Sequence, residues 1–149
     1  TIIIKDRNLI ISMILREITV DDSKFLYELY INRDEKDQIT KIEFEGQKKF
    51  VDNYINKSFE HPFESWLIIE IDGKQAGSLT LNKKNNELGY WLDKKFQGKG
   101  IGSKAVKEFM DLHNKSMYTI RSHIENKKSQ KIAEKMGFKL TRYEYTFKK

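Results

Sequence analysis

The chain has 149 residues, with 28 Lys and Arg against 22 Asp and Glu for a net charge of +6, and is 38% apolar and 34% charged. That length fits one domain with a sizeable core, and 12% aromatic residues exclude a disordered chain. The absence of cysteine rules out disulfides, thiolate metal ligands and a Cys nucleophile; with only three scattered histidines, His61, His113 and His123, no metal is expected.

The longest uncharged apolar stretch, Asn8 to Leu15, is eight residues, against about 20 for a bilayer span, so no membrane partner is expected. Charges at Lys5, Asp6 and Arg7 interrupt the apolar run that a secretory signal needs. The expectation is a cytoplasmic protein. Residues 1–12 precede the first methionine, Met13, and read as an N-terminal extension of uncertain role, either an extra edge strand or a leader without function. Residues 13–149 read as a single domain.

Ile14 to Ile18 predicts a short strand. Thr19 with Asp22 three residues on is a capping box with Asp in place of Glu, and Phe25, Leu26, Leu29 and Tyr30 then recur at helical spacing. Residues 33–45 are charge-dense and aperiodic. Phe50, Val51, Tyr54 and Ile55 predict a second helix running from Gln47 towards Pro62. Three strands follow, 65–71, 75–82 and 87–93, separated by the turn signals Asp72-Gly73 and Asn85-Asn86, which makes them an antiparallel meander. Ala105, Val106, Phe109, Met110 and Leu112 predict a third helix, starting near Ser103. Residues 118–124 read as a strand, 126–136 as a fourth helix closed by Gly137, and 138–147 as a final strand. The order β-α-α-β-β-β-α-β-α-β predicts an α/β fold: a mixed, mostly antiparallel sheet, parallel towards its C-terminal end, with helices on both faces.

Charge divides the chain. Residues 1–93 hold 13 basic and 17 acidic side chains, net −4, and residues 94–149 hold 15 and 5, net +10. The basic half favours a phosphorylated or otherwise anionic partner. Its basic residues carry no nucleic-acid recognition motif, so no nucleic acid is expected.

Three of the eight glycines fall in Gln97-Gly98-Lys99-Gly100-Ile101-Gly102, between a predicted strand and a predicted helix. Glycines let backbone N–H groups approach an anion, the helix start adds unpaired N–H groups and a positive dipole end, and Lys99 adds charge. The segment reads as a diphosphate cradle. A Walker loop needs Lys-Ser/Thr after its last glycine, and here Ser103-Lys104 stand in the wrong order. A dinucleotide fingerprint needs Gly-x-Gly-x-x-Gly, and here the spacing is Gly-x-Gly-x-Gly.

Gln97-x-x-Gly100-x-Gly102 resembles the acyl-CoA-binding motif Gln/Arg-x-x-Gly-x-Gly/Ala of the GNAT superfamily of N-acetyltransferases. The resemblance continues in Glu87-Leu88-Gly89-Tyr90-Trp91-Leu92, in Asn126-x-x-Ser129 and in Glu134-Lys135-Met136-Gly137-Phe138. It looks most like the branch containing ribosomal-protein N-terminal acetyltransferases, and it covers roughly residues 14–147.

This resemblance implies acetyl-CoA as co-substrate, lying where the family's fourth and fifth strands, here 87–93 and 118–124, splay apart. It implies that backbone at Trp91 and Leu92 pairs with the pantetheine arm and supplies an oxyanion donor. Gln97 opens the motif, and the amides of Gly98, Lys99, Gly100, Ile101, Gly102 and Ser103 would hold the pyrophosphate. Asn126 would bind the pantetheine, order a catalytic water, or simply cap its helix. Many family members carry a tyrosine acid four residues before the Gly-Phe pair; here that position is Ala133. Ser129 matches the serine that the ribosomal-protein branch uses towards the thiolate, with Tyr143 and Tyr145 as weaker substitutes. Glu87 matches the acidic residue that opens the fourth strand and is the favoured base, acting through water, with His123 and Glu125 as rivals.

The acceptor implied is a primary amine, on a protein N-terminus, a polyamine, an aminoglycoside or another small cationic molecule, attacking directly in a ternary complex. The five acids Asp34, Glu35, Asp37, Glu43 and Glu45 would form an attracting rim, and Trp66, Tyr90 and Trp91 are either acceptor-pocket aromatics or core. Homodimers are frequent in the family, so a second copy is an implied partner. The alternative is a CoA-binding module on the same fold without turnover.

Overall fold

The computed structural model describes residues 1–6, 9–33 and 43–149. Five strands, β1 (Ile2–Asp6), β2 (Leu9–Glu17), β3 (Phe63–Ile71), β4 (Lys74–Asn82) and β5 (Leu88–Leu92), pair in that spatial order, every neighbour antiparallel. Among the described residues four α-helices accompany them: α1 (Ser23–Ile31), α2 (Phe44–Ile55), α3 (Ile101–His113) and α4 (Lys127–Lys135).

Period-2 geometry divides the core. In β3, Leu67, Ile69 and Ile71 face one side, where they join Met13, Leu79 and Leu81 under Ile101, Ala105, Val106 and Phe109 of α3. Trp66 and Ile68 face the other side, with Ile18, Leu26 of α1 and Val51 of α2. Both faces of the sheet are therefore covered, which is why the middle of β3 reads as an unbroken apolar run. At the entry to α1 the Thr19 amide donates to the Asp22 carboxylate at 2.7 Å, completing the capping box. Residues 1–12 contribute an edge strand: β1 pairs with β2 along its length, and Ile4 and Ile11 are buried in the α3-side core.

Two expected strands do not form, so the described sheet is antiparallel and not mixed. Of residues 118–124 only Thr119 meets the sheet, in a single parallel bridge to Glu87. There the Leu88 amide donates to the Thr119 carbonyl at 2.8 Å and the Thr119 amide to the Asn86 carbonyl at 3.1 Å. Beyond it the chain turns towards α4, and Gln130 Nε2 donates to the carbonyls of His123 and Ile124, satisfying groups that a ladder would have used. In residues 138–147 the apolar spacing changes phase between Leu140 and Tyr143, and Leu140, Tyr143, Tyr145 and Phe147 are exposed and form no ladder. A strand needs an edge to pair with, and alternation alone does not supply one.

Candidate active site

The glycine segment is tied to the end of β5. Asp93 accepts from the Lys95 amide at 3.0 Å, a single 3-10 turn spans Lys94–Phe96, and Gln97 Nε2 donates to the Leu92 carbonyl at 3.1 Å. Gly98 and Gly100 then adopt left-handed backbone, φ 76° and 74°, and Gly100 is the N-cap of α3. Among the described residues, the adjoining ones aside, no atom lies within 4 Å of where a Cβ would sit on either, so the loop opens onto free space. The first-turn amides of α3 have no intrahelical acceptor and face outward from the helix end. Gln97, Gly98, Lys99 and Gly100 are exposed, Ser103 is half-buried, and Ile101 and Gly102 are buried. Ile101 thus anchors the helix in the core and leaves only its amide for an anion. The arrangement fits a diphosphate, and Lys99 supplies charge beside it.

Ladder parity decides which part of β5 is available. Asp93 donates to the Ala76 carbonyl and Asn82 to the Glu87 carbonyl, so in this regular register the odd residues, Trp91 included, turn their backbone groups to β4. The even residues Leu88, Tyr90 and Leu92 turn theirs to the open edge, as the Leu88–Thr119 bond and the Gln97–Leu92 bond show. The expectation of an edge-facing backbone therefore fits Leu92 and not Trp91. The Trp91 ring lies on the opposite face, with the Arg33 guanidinium 3.9 Å above its centroid.

Across the open edge stands the start of α4. Asn126 is its N-cap, with Oδ1 accepting from the Ser129 amide at 3.1 Å. Ser129 Oγ lies 2.7 Å from the Tyr90 hydroxyl, which also donates to the Ser129 carbonyl at 3.0 Å. Burial pushes the Tyr90 phenol above its ordinary pKa, against the opposing effect of the Ser129 hydrogen bond. Glu87, half-buried beside the Thr119 bridge, pairs through Oε2 with Arg121 Nε at 2.7 Å.

A family model of the acetyltransferase (GNAT) domain matches residues 12–139. The chain belongs to the GNAT acetyltransferases. A ribosomal-protein-serine acetyltransferase of Escherichia coli K12 is 34% identical over 59 residues, 37% of this chain and 33% of that protein. The match thus spans only a third of that relative's length. Among solved structures, an acetyltransferase from Salmonella typhimurium, described as modifying the N-terminal serine of a 50S ribosomal subunit protein, superposes with TM-score 0.65 at 22% identity, covering 83% of this chain and 78% of that one. The acetyltransferase RimL in complex with coenzyme A gives TM-score 0.66 at 22% identity, with coverage of 90% and 82%. An N-acetyltransferase from Staphylococcus aureus Mu50 gives 0.67 at 18%, with coverage of 86% and 84%. At these identities the superpositions establish a common fold.

Within this GNAT domain the remaining sequence candidates separate. Trp66 is core: it is buried among Phe50, Tyr54, His61 and Phe63, with its Nε1 on Ser78 Oγ at 2.9 Å. His123 is exposed and its Nδ1 accepts from the Glu125 amide at 3.1 Å. Tyr143 and Tyr145 are exposed on the irregular C-terminal segment, away from any ladder. Of the acidic rim, Asp34, Glu35 and Asp37 lie outside the described residues; Glu43 and Glu45 are exposed at the start of α2. Two contacts had no signal in the sequence: Tyr90 with Ser129, and Arg33 with Trp91. The strand alternation could only say that Tyr90 and Trp91 point to opposite faces. Among the described residues no group of three His, Asp or Glu is close enough to hold a metal, and no helix is long and apolar enough to cross a membrane.

Proposed function

We propose that the chain is an acetyl-CoA-dependent N-acetyltransferase that moves an acetyl group to a primary amine by direct attack in a ternary complex. The observation that carries this reading is the exposed glycine loop, left-handed at Gly98 and Gly100, opening the first turn of α3 at the end of β5. The amides of residues 98–103 would hold the pyrophosphate, and Lys99 would add charge. The pantetheine arm would run between β5 and residues 120–124, which part after the Thr119 bridge, and would pair with the edge-facing backbone of Tyr90 and Leu92. An edge amide there would also stabilise the tetrahedral oxyanion, a contribution of about 3–4 kcal/mol.

Three side chains would serve the transfer. Glu87 would take the amine proton through water, while Arg121 holds one of its carboxylate oxygens. Asn126, whose Oδ1 caps α4, would use its Nδ2 group towards the pantetheine. Ser129 would donate a hydrogen bond to the departing thiolate. The domain would span residues 13–149 with residues 1–12 completing its sheet edge, a cytoplasmic location goes with this reading, and a homodimer is the partner to look for. The relatives named above make a peptide with a free N-terminal serine the first acceptor to try, ahead of polyamines and aminoglycosides.

Calorimetry with CoA, followed by measurement of free CoA released from acetyl-CoA across an amine panel, tests the reading. Binding of CoA with amine-dependent release is expected. Binding without release from any amine would leave a CoA-binding module, and no binding would remove the cradle altogether.

A further inference from the structure

The Tyr90 hydroxyl reaches from β5 to the first turn of α4 and meets Ser129 twice, 2.7 Å from Oγ and 3.0 Å from the carbonyl oxygen. Both residues are half-buried. One helical turn beyond Ser129, on the same face of α4, stands Ala133, which brings no polar atom. The phenol on this side of the cleft therefore comes from the strand. Tyr90 shares the parity of Leu88 and Leu92 and packs with them on the α3 side of the sheet.

A tyrosine and a serine hydroxyl each carry one proton and can each accept. Two arrangements satisfy the pair. In one, Ser129 donates to Tyr90 and Tyr90 to the Ser129 carbonyl, so the serine proton is spent inside the protein. In the other, Tyr90 donates to Ser129 Oγ, and the serine proton is turned away from Tyr90 and free to meet a negative charge. Tyr90 stays protonated at neutral pH because burial holds its pKa above the ordinary value of about 10.

We propose that Tyr90 is a positioning residue for Ser129: when charge develops on the leaving sulfur, Tyr90 donates to Ser129 Oγ and so directs the serine proton at that sulfur. This rests on the reading of Ser129 as the hydroxyl that serves the thiolate. No proton leaves Tyr90 in the step; a hydrogen bond changes direction, and the Ser129–sulfur bond it supports is charge-assisted.

The test uses CoA alone and needs no acceptor. The thiol of CoA bound to the full chain is titrated through the ultraviolet absorbance of its thiolate, in wild type, Tyr90→Phe, Ser129→Ala and the double variant. Tyr90→Phe removes one oxygen and leaves the ring in place. It is expected to bind CoA within about 3-fold of wild type while its bound thiol titrates roughly 0.5 pH or more higher. Ser129→Ala is expected to raise the midpoint as well, and adding Tyr90→Phe to it should change nothing further. An unmoved midpoint in Tyr90→Phe alone overturns the proposal and leaves the Ser129 reading standing. An unmoved midpoint in Ser129→Ala overturns that reading and the proposal with it. A Tyr90→Phe effect that persists in the Ser129→Ala background overturns the proposal, because Tyr90 would then act without Ser129. Loss of CoA binding in Tyr90→Phe also overturns it, since the pair would be holding the cleft together and not steering a proton.

Discussion

Arg16 grips both carboxylate oxygens of Asp22, Nη1 to Oδ2 and Nη2 to Oδ1 at 2.8 Å each. Asp22 is 1% exposed and also accepts from the Thr19 amide and from Gln75 Nε2, while Arg16 reaches Glu70 through Nε. Burial works against the charge on Asp22, and these three donors outweigh it, so its pKa lies below the usual carboxylate value. The network ties β2, β3 and β4 to the start of α1.

Asp22→Ala leaves Arg16 with a vacated partner and removes the capping box, and it is expected to cost about 3 kcal/mol. Urea unfolding followed by circular dichroism measures this. A cost below about 0.5 kcal/mol would mean that the network is ornamental.

Burial lowers the pKa of both His61 and His113 below the ordinary 6.5. The unfolded chain therefore takes up these protons first as pH drops. The stability contributed is complete above about pH 6.5 and is lost as pH falls through that value towards the folded pKa values. Unfolding free energies between about pH 7.5 and pH 5.5, one pH either side of that midpoint, should show the decline, and His61→Gln should flatten part of it. An identical slope in the variant would show that His61 does not contribute to the decline.

Gly100 is left-handed at the N-cap of α3. Asn tolerates that backbone and Glu does not, and Glu also sends a carboxylate into the space a phosphate would fill. Gly100→Asn should keep measurable CoA binding, whereas Gly100→Glu should abolish it in calorimetry. Equal affinities in the two variants would mean that the anion sits elsewhere.

What could be read from the chain was mostly local. Thr19 with Asp22, Asp72-Gly73 and the spaced glycines act within a few residues, so their geometry follows from spacing. The strands expected at 118–124 and 138–147 failed because pairing depends on a distant edge, and only Thr119 finds one. Assigning the edge-facing backbone to Leu92 and not Trp91 required the register against β4, which no single-strand pattern contains. Tyr90 and Ser129 meet across 39 positions, a separation that no helical or strand period predicts.

Ser129→Ala should lower turnover roughly 10-fold or more while CoA affinity changes by less than about 3-fold. Steady-state kinetics with the best amine of the panel, beside calorimetry, separates the two quantities. Unchanged turnover would reduce Ser129 to the residue whose amide Asn126 caps.

Deleting residues 1–12 strips β1 from the sheet and removes the buried Ile4 and Ile11 from the α3-side core. The loss is expected to exceed about 2 kcal/mol. A thermal melt of the shortened chain checks it; a melting temperature within about 2 °C of the full chain would make the extension dispensable for folding.

The two-residue rhythm of β5 has a consequence for how this gene can vary. A single-codon insertion or deletion between Gly89 and Leu92 would leave a strand that still zips onto β4, yet it would swap the sides of phenol and indole and turn the wrong amides to the gap. A two-codon change would restore the phase. Length polymorphism in this stretch should therefore be tolerated in pairs and selected against one at a time.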